Sequence, residues 1–285
     1  MKTNLIYYLS FLFITLLSCG KTVEEINFNE IPLTQENIDK HKDELLKIIE
    51  FQGDIYLGSG INNISAFHNL ETISGNLRIQ YSDLSNFNDF QNLRCVNDLI
   101  IDVNDKLESI EFKELEFIKG RVFIYFNSIL KEVFFPKLIQ VDEGTGFYDN
   151  LILKKINIPE LRHTEGLYIL RNSKFENLSG LKNLERDKTR AVQIDYNRMQ
   201  SPSDLFQNIN FAIFQIKIND PNENNLDWLS NLPLGTFINI ESKLELSDFC
   251  ILKDAVDLNA TNKLVIKNSI SSQVYDGFDL LNECQ

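Results

Sequence analysis

Histidine, cysteine, methionine and tryptophan are scarce in this chain: 3, 4, 2 and 1 among 285 residues. His41, His68 and His163 are scattered and no CxxC occurs, which argues against a Cys/His zinc site and leaves no cofactor implied. No P-loop, HExxH or nucleophile-elbow motif is present. Positive charge is also in deficit. Twenty-eight Lys and Arg face 41 Asp and Glu, a net charge of −13. Nucleic acid and anionic lipid reward clustered Lys and Arg, so neither is expected as a partner. Long apolar runs are missing too. The longest, Leu5 to Leu17, falls short of the ~20 residues that a spanning helix needs.

What is present begins with that short run. Lys2 and the initiator amine precede it, and Leu16-Leu17-Ser18-Cys19 closes it. Its length suits a secretory signal, with cysteine where a small residue would normally end the cleavage site. The tetrapeptide resembles the lipobox of bacterial lipoproteins. That resemblance implies a signal peptide over 1–18, lipid on Cys19, a lipidated tether over 19–30 and an extracytoplasmic domain from 31 to 285. Glu24-Glu25 is similar to a surface-export signal, which would place the domain on the outer membrane or cell surface. The other cysteines fit an oxidising compartment, where two of Cys95, Cys250 and Cys284 can pair. Pairing Cys250 with Cys284 would staple the end of the chain and stabilise by roughly 3–4 kcal/mol. Cys95 would then be a quiet, partly buried thiol.

A second pattern fills the rest of the chain. Short strand-like runs recur at Ile55-Tyr56-Leu57, Leu77-Arg78-Ile79, Leu99-Ile100-Ile101 and Val122-Phe123-Ile124, spaced by 22, 22 and 23 residues. They continue at Leu167–Ile169, Val192–Ile194, Phe237–Ile240 and Leu264–Ile266, with weaker copies at Thr145–Tyr148 and Phe214–Ile218. Each run is followed by an Asn-rich turn, two apolar pairs and a Gly or Asn turn. One such unit cannot bury its apolar face, but stacked units can, so a period near 22 reads as a solenoid. The expected fold is mainly β: about ten coils with parallel strands at ~4.8 Å spacing, roughly 45 Å long. A capping helix starting at Thr34 is expected over 34–51, with Ile38, Leu45, Leu46 and Ile49 as its apolar stripe. A C-terminal cap over 246–285 closes the other end. Residues 219–233, around Trp228, interrupt the repeat.

The Asn-Leu-x-Ile strand with its following Leu-x-x-Ile-x-Gly turn resembles the receptor L domain, a relative of leucine-rich repeats carried by bacterial surface lipoproteins. Leu33-Thr34-Gln35 resembles the N-terminal cap of those proteins, and Leu246–Cys250 with Cys284 resembles their C-terminal cap. The resemblance covers roughly 31–285. It implies a right-handed, single-domain solenoid that binds rather than catalyses.

Strand alternation sorts the remaining residues. In each run the first and third residues face inward and the middle one faces out. One outward column reads Tyr56, Arg78, Ile100, Phe123, Tyr168, Gln193 and Val265, and the next reads Gln80, Asp102, Tyr125, Tyr148, Leu170, Asp195 and Lys267. Ile100, Phe123, Tyr125, Tyr148, Tyr168 and Leu170 would therefore share one apolar-aromatic surface, a candidate ligand-binding site. Aromatics on neighbouring strands also stabilise a sheet, so the stripe has a structural reading as well. Asp102 and Asp195 lie four coils apart, roughly 19 Å. Paired glycosidase carboxyls stand about 5–9.5 Å apart, so catalysis is not expected. The expected function is a monomeric, lipid-anchored adhesion or recognition module for a protein partner. Glycan capture for a polysaccharide uptake system is the alternative, against which the single Trp counts slightly.

Overall fold

A computed structural model describes residues 33–175 and, beyond them, 179–181, 183–185, 189, 191–196, 213–218, 238–242, 244–255 and 264–284. The signal peptide, Cys19, the tether and the stretch around Trp228 lie outside the described residues.

The chain winds as a parallel-strand solenoid. Its long sheet has eleven strands. Ten run parallel in chain order: Ile55–Leu57, Leu77–Gln80, Leu99–Asp102, Val122–Tyr125, Gly144–Tyr148, Gly166–Leu170, Ala191–Tyr196, Ile213–Ile218, Ile238–Ser242 and Leu264–Asn268. The eleventh, Val274–Asp276, folds back antiparallel on the last. A second sheet of five two-residue strands runs from Glu50–Phe51 to Gln140–Val141. A third face is built from 3-10 turns at Ser65–Phe67 and Asn88–Phe90, then from the strands Ser109–Glu111, Glu132–Phe134 and Lys155–Asn157. About six turns are described in full, corresponding to the first six long-sheet strands. Of the ten coils expected, the later ones contribute their strands, and much of their connecting chain lies outside the described residues.

The core between the sheets is apolar and layered by coil. Phe67, Phe90, Phe112 and Phe135 are fully buried in successive coils, with ring centroids 5.7, 6.1 and 5.8 Å apart. Where each coil turns away from the long sheet, a buried polar ladder replaces the apolar layer. Asn104, Asn127, Asn150 and Asn172 stack along the axis, and the Oδ1 of each of the last three accepts the backbone N–H of the Asn one coil earlier at 3.1 Å. Ser82 begins the ladder by donating its N–H to Asn104 Oδ1 at 2.9 Å. Each Asn Nδ2 also donates to a carbonyl of the preceding coil: Ile79, Ile101, Ile124 and Phe147 respectively. The ladder satisfies buried backbone groups that the turn would otherwise orphan.

Each ladder residue follows a residue in the left-handed region: Tyr81, Val103, Phe126, Asp149 and Arg171, with φ between 53° and 56°. That conformation costs an L residue about 1–2 kcal/mol, and five consecutive corners adopt it. Outside, ion pairs join neighbouring coils, among them Arg94–Glu116, Lys131–Glu108 and Arg171–Asp149.

The N-terminal segment departs from the expected single helix. Two short helices, Gln35–Lys40 and Lys42–Leu45, are separated at His41. Thr34 caps the first as expected, its Oγ1 accepting the Asn37 N–H at 3.2 Å. Ile38 and Leu45 are buried, but Ile49 is exposed, because Glu50–Phe51 has already entered the second sheet beside Thr72–Ile73. Strand pairing wins over helix propagation there. Gln35 docks the segment on the first coil, accepting the Asn62 and Asn63 N–H groups. At the other end a 3-10 segment, Leu246–Ala255, packs against the helix Gly277–Glu283, which starts in a capping box between Asp276 and Asp279. A disulfide joins Cys250 to Cys284 across these two elements, with 5.4 Å between Cα atoms. Cys95 is buried and is held in a disulfide, which corrects the expectation of a partly buried free thiol.

Candidate functional site: the outer face of the long sheet

Cα pairing places Tyr56, Arg78, Ile100, Phe123, Gly146, Tyr168 and Gln193 in one row. The next row holds Gln80, Asp102, Tyr125, Tyr148 and Leu170. Both expected columns are recovered. Gly146 is the addition, in the coil whose strand signal was weakest. Ile100, Phe123, Tyr125, Tyr148, Tyr168 and Leu170 all sit on this face and all are half-buried.

The aromatics in the middle coils touch one another. Phe123 stands edge-on to Tyr148, centroids 5.9 Å apart at 86°. Tyr148 and Tyr168 are nearly parallel at 21° and 6.5 Å. Arg121 lies over the Phe123 ring, 5.2 Å from its centroid, in cation–π range. Glycine sets this geometry. A Cβ at Gly146 would collide with the Tyr148 ring, and one at Gly166 would come within 2.7 Å of the Tyr168 ring. Both tyrosines therefore lie flat along their own strands, over the glycine two residues back. Burial pushes the Tyr148 phenol up to about 12, with the Tyr168 phenol acting in the same direction and Arg171 against it. The Tyr125 phenol is also raised, chiefly by burial and then by the charge of Asp102.

The N-terminal half of the face is different. Asp102 occupies an outward position, yet its side chain is only 1% exposed. Its Oδ2 accepts from the Arg78 guanidinium at 3.3 Å. Asp102 Oδ1 and Arg78 Nε are buried and lack hydrogen-bond partners. The other outward acid considered for catalysis, Asp195, belongs to the same row four coils away. Asp149 is tied by two 2.7 Å hydrogen bonds from Arg171. Among the described residues, no cluster of three or more His, Cys, Asp or Glu could hold a metal.

Two exposed aromatics on this side escape the alternation argument. Tyr81 and Phe126 each follow the second outward column, where strict alternation points inward. The left-handed turn swings them outward instead, and they are 56% and 53% exposed. The signal at Phe126 was the Asn that follows the corner at the repeat spacing: at 104, 127, 150 and 172 it marks a turn already begun, whereas Tyr81 is followed by Ser82 and carries no such mark.

No curated protein and no solved structure matches the chain. The model of one family does match, over the N-terminal coils that carry the Arg78–Asp102 pair, Ile100, Phe123 and Tyr125. Residues 33–133 of this solenoid are similar to the receptor L domain.

Proposed function

We propose that the chain is a non-catalytic binding module that presents the outer face of its long sheet to a protein partner outside the cytoplasm. The observation that carries this reading is the apolar-aromatic stripe from Ile100 to Leu170, half-buried on the outer face of the long sheet. A patch of this kind marks interaction sites, and aromatic residues are enriched in the buried core of interfaces. Similarity to the receptor L domain over 33–133 supports the same reading.

A replacement of both Tyr125 and Tyr148 by Ala should weaken capture of the partner in a whole-cell pull-down while leaving the melting temperature nearly intact. A large loss of stability with unchanged capture would assign the stripe to the sheet instead. A glycan partner has one observation in its favour, the flat Tyr148–Tyr168 floor over Gly146 and Gly166. A glycan array read beside the pull-down separates the two.

Anchoring rests on the Leu16-Leu17-Ser18-Cys19 motif. Two or more acyl chains on Cys19 would hold the module stably at the membrane, with the solenoid projecting from the tether. Cys19→Ala should abolish fatty-acid labelling and release the protein from the membrane fraction.

A further inference from the structure

The first outward row of the long sheet changes character at Gly146. Cα pairing carries it from Gly146 through Tyr168 and Gln193 to Gln215 and Asn239. Four steps at ~4.8 Å make this stretch about 19 Å long. It holds no charged residue, in a chain whose residues are 24% charged. The row beside it is charged from Asp195 onward and alternates in sign through Lys217, Glu241 and Lys267. Lys267 pairs with Glu241 at 3.6 Å.

Two kinds of group line the uncharged row. At its start lie the rings of Tyr148 and Tyr168, laid over Gly146 and Gly166 and 21° from parallel. Phe123, at 86° to Tyr148, stands upright at the N-terminal end. The rest of the row is amide. Gln193 and Asn239 are half-buried, beside the inward Val192 and Ile240. The amides of the Asn ladder are engaged inside the fold. Among the described residues, no hydrogen bond engages the side-chain amide of Gln193 or Asn239.

A flat floor with an amide rim suits one chemistry. An apolar side chain of a protein gains most in a pocket that encloses it, and two rings lying along a sheet enclose nothing. A pyranose is itself flat. The C–H groups on its faces stack on an aromatic ring, and the hydroxyls around its edge donate and accept, as a carboxamide does. Charge decides within the class. The arginines beside the floor, Arg121 and Arg171, are already tied to Asp98 and Asp149. The row offers no counter-ion to a uronate or a sulfate, and a net charge of −13 repels both.

We propose that the row from Gly146 to Asn239 is a track for a neutral oligosaccharide lying along the solenoid axis, with sugar rings on Tyr148 and Tyr168 and hydroxyls bonded to Gln193 and Asn239. The proposal rests on the outer face being the ligand-binding face. It goes beyond the protein-binding reading by giving the C-terminal part of that face a ligand of its own, while Ile100 and Tyr125 stay with the protein partner.

The test uses the full chain on an array of glucose, galactose and mannose oligomers beside uronate-containing and sulfated ones, followed by titration calorimetry. A neutral oligomer should bind, and its monosaccharide should bind about tenfold or more weakly. Tyr168→Ala and Gln193→Ala should each weaken the oligomer by about tenfold with the melting temperature unchanged. Tyr168→Phe keeps the ring and should stay within about threefold of wild type. Gln193→Ala should leave whole-cell protein capture intact. An array on which no neutral oligomer binds overturns the track; the face reading then stands if capture still responds to the Tyr125 and Tyr148 double replacement, and falls with it if not. A preference for acidic oligomers overturns the proposal. If Tyr168→Ala and Gln193→Ala melt lower yet bind the oligomer as wild type does, these side chains serve the sheet and the track falls.

Discussion

Replacing Asn127 by Ala removes one rung from a ladder buried along the axis of the solenoid. The Asn127 side chain is fully buried. Its Nδ2 donates to Ile101 O at 3.0 Å, Tyr125 O at 3.1 Å and Asn150 Oδ1 at 3.2 Å. Its Oδ1 accepts from Asn104 N at 3.1 Å and Asn104 Nδ2 at 3.2 Å. Alanine deletes all of these and strands the Asn104 N–H away from water. A net hydrogen bond contributes about 0.5–1.5 kcal/mol, and a stranded buried group costs about 1–3 kcal/mol. Because the Nδ2 protons are shared among three acceptors, the sum is about 3–5 kcal/mol rather than the full total. Urea unfolding of wild type and Asn127→Ala, fitted with a common m-value, reads this difference directly. Hydrogen exchange should locate it, since the coils on either side are joined through the rung and their amides should lose protection together. A difference below about 1 kcal/mol would refute the reasoning, because the ladder would then be ornament on a sheet that holds itself.

Three further outcomes follow from the geometry. Reducing Cys250–Cys284, which spans 34 residues, should destabilise by roughly 3–4 kcal/mol and expose the helix Gly277–Glu283 to proteolysis before the sheet; calorimetry and limited digestion read both. Absorbance titration should find Tyr148 ionising near pH 12. Its folded pKa lies above the usual value of about 10, so the folded state keeps the proton longer and the stability from Tyr148 is present below pH 10 and lost between about 10 and 12. A normal titration would show that the ring is not laid on the sheet. Gly146→Ala should lift the Tyr148 ring, since the added Cβ meets it, and so return the phenol toward its ordinary pKa with little change in far-UV circular dichroism.

The repeat and its outward columns were legible because strand alternation is a local rule with a period of two. The spacing of 22, 22 and 23 carried the register of Ile55, Leu77, Leu99 and Val122 without any knowledge of the turns. The same rule failed at Tyr81 and Phe126, where the strand had ended and the left-handed turn had begun. It also placed Asp102 on the surface correctly but treated surface as solvent. The asparagines at 104, 127, 150 and 172 repeat as regularly as the strands. Their spacing suggested turns, yet nothing local says that an Asn turns its amide into the core rather than toward water.

The amino-acid sequence by itself determined that the chain coils, how long each coil is, and which strand residues face outward, because those depend on composition at fixed spacing. Only the tertiary structure decided which outward groups are buried, which corners are strained, and which rings lie flat. Those properties arise between coils. Asp102 is shielded although it faces outward, and the Asn127 amide reaches partners in the coils before and after it. Even Tyr168 over Gly166, a contact within one strand, is set by the neighbouring Tyr148 ring and Gly144 that confine it. Side chains some 22 residues apart in the chain become nearest neighbours when the solenoid closes, and their mutual burial is a property of that closure.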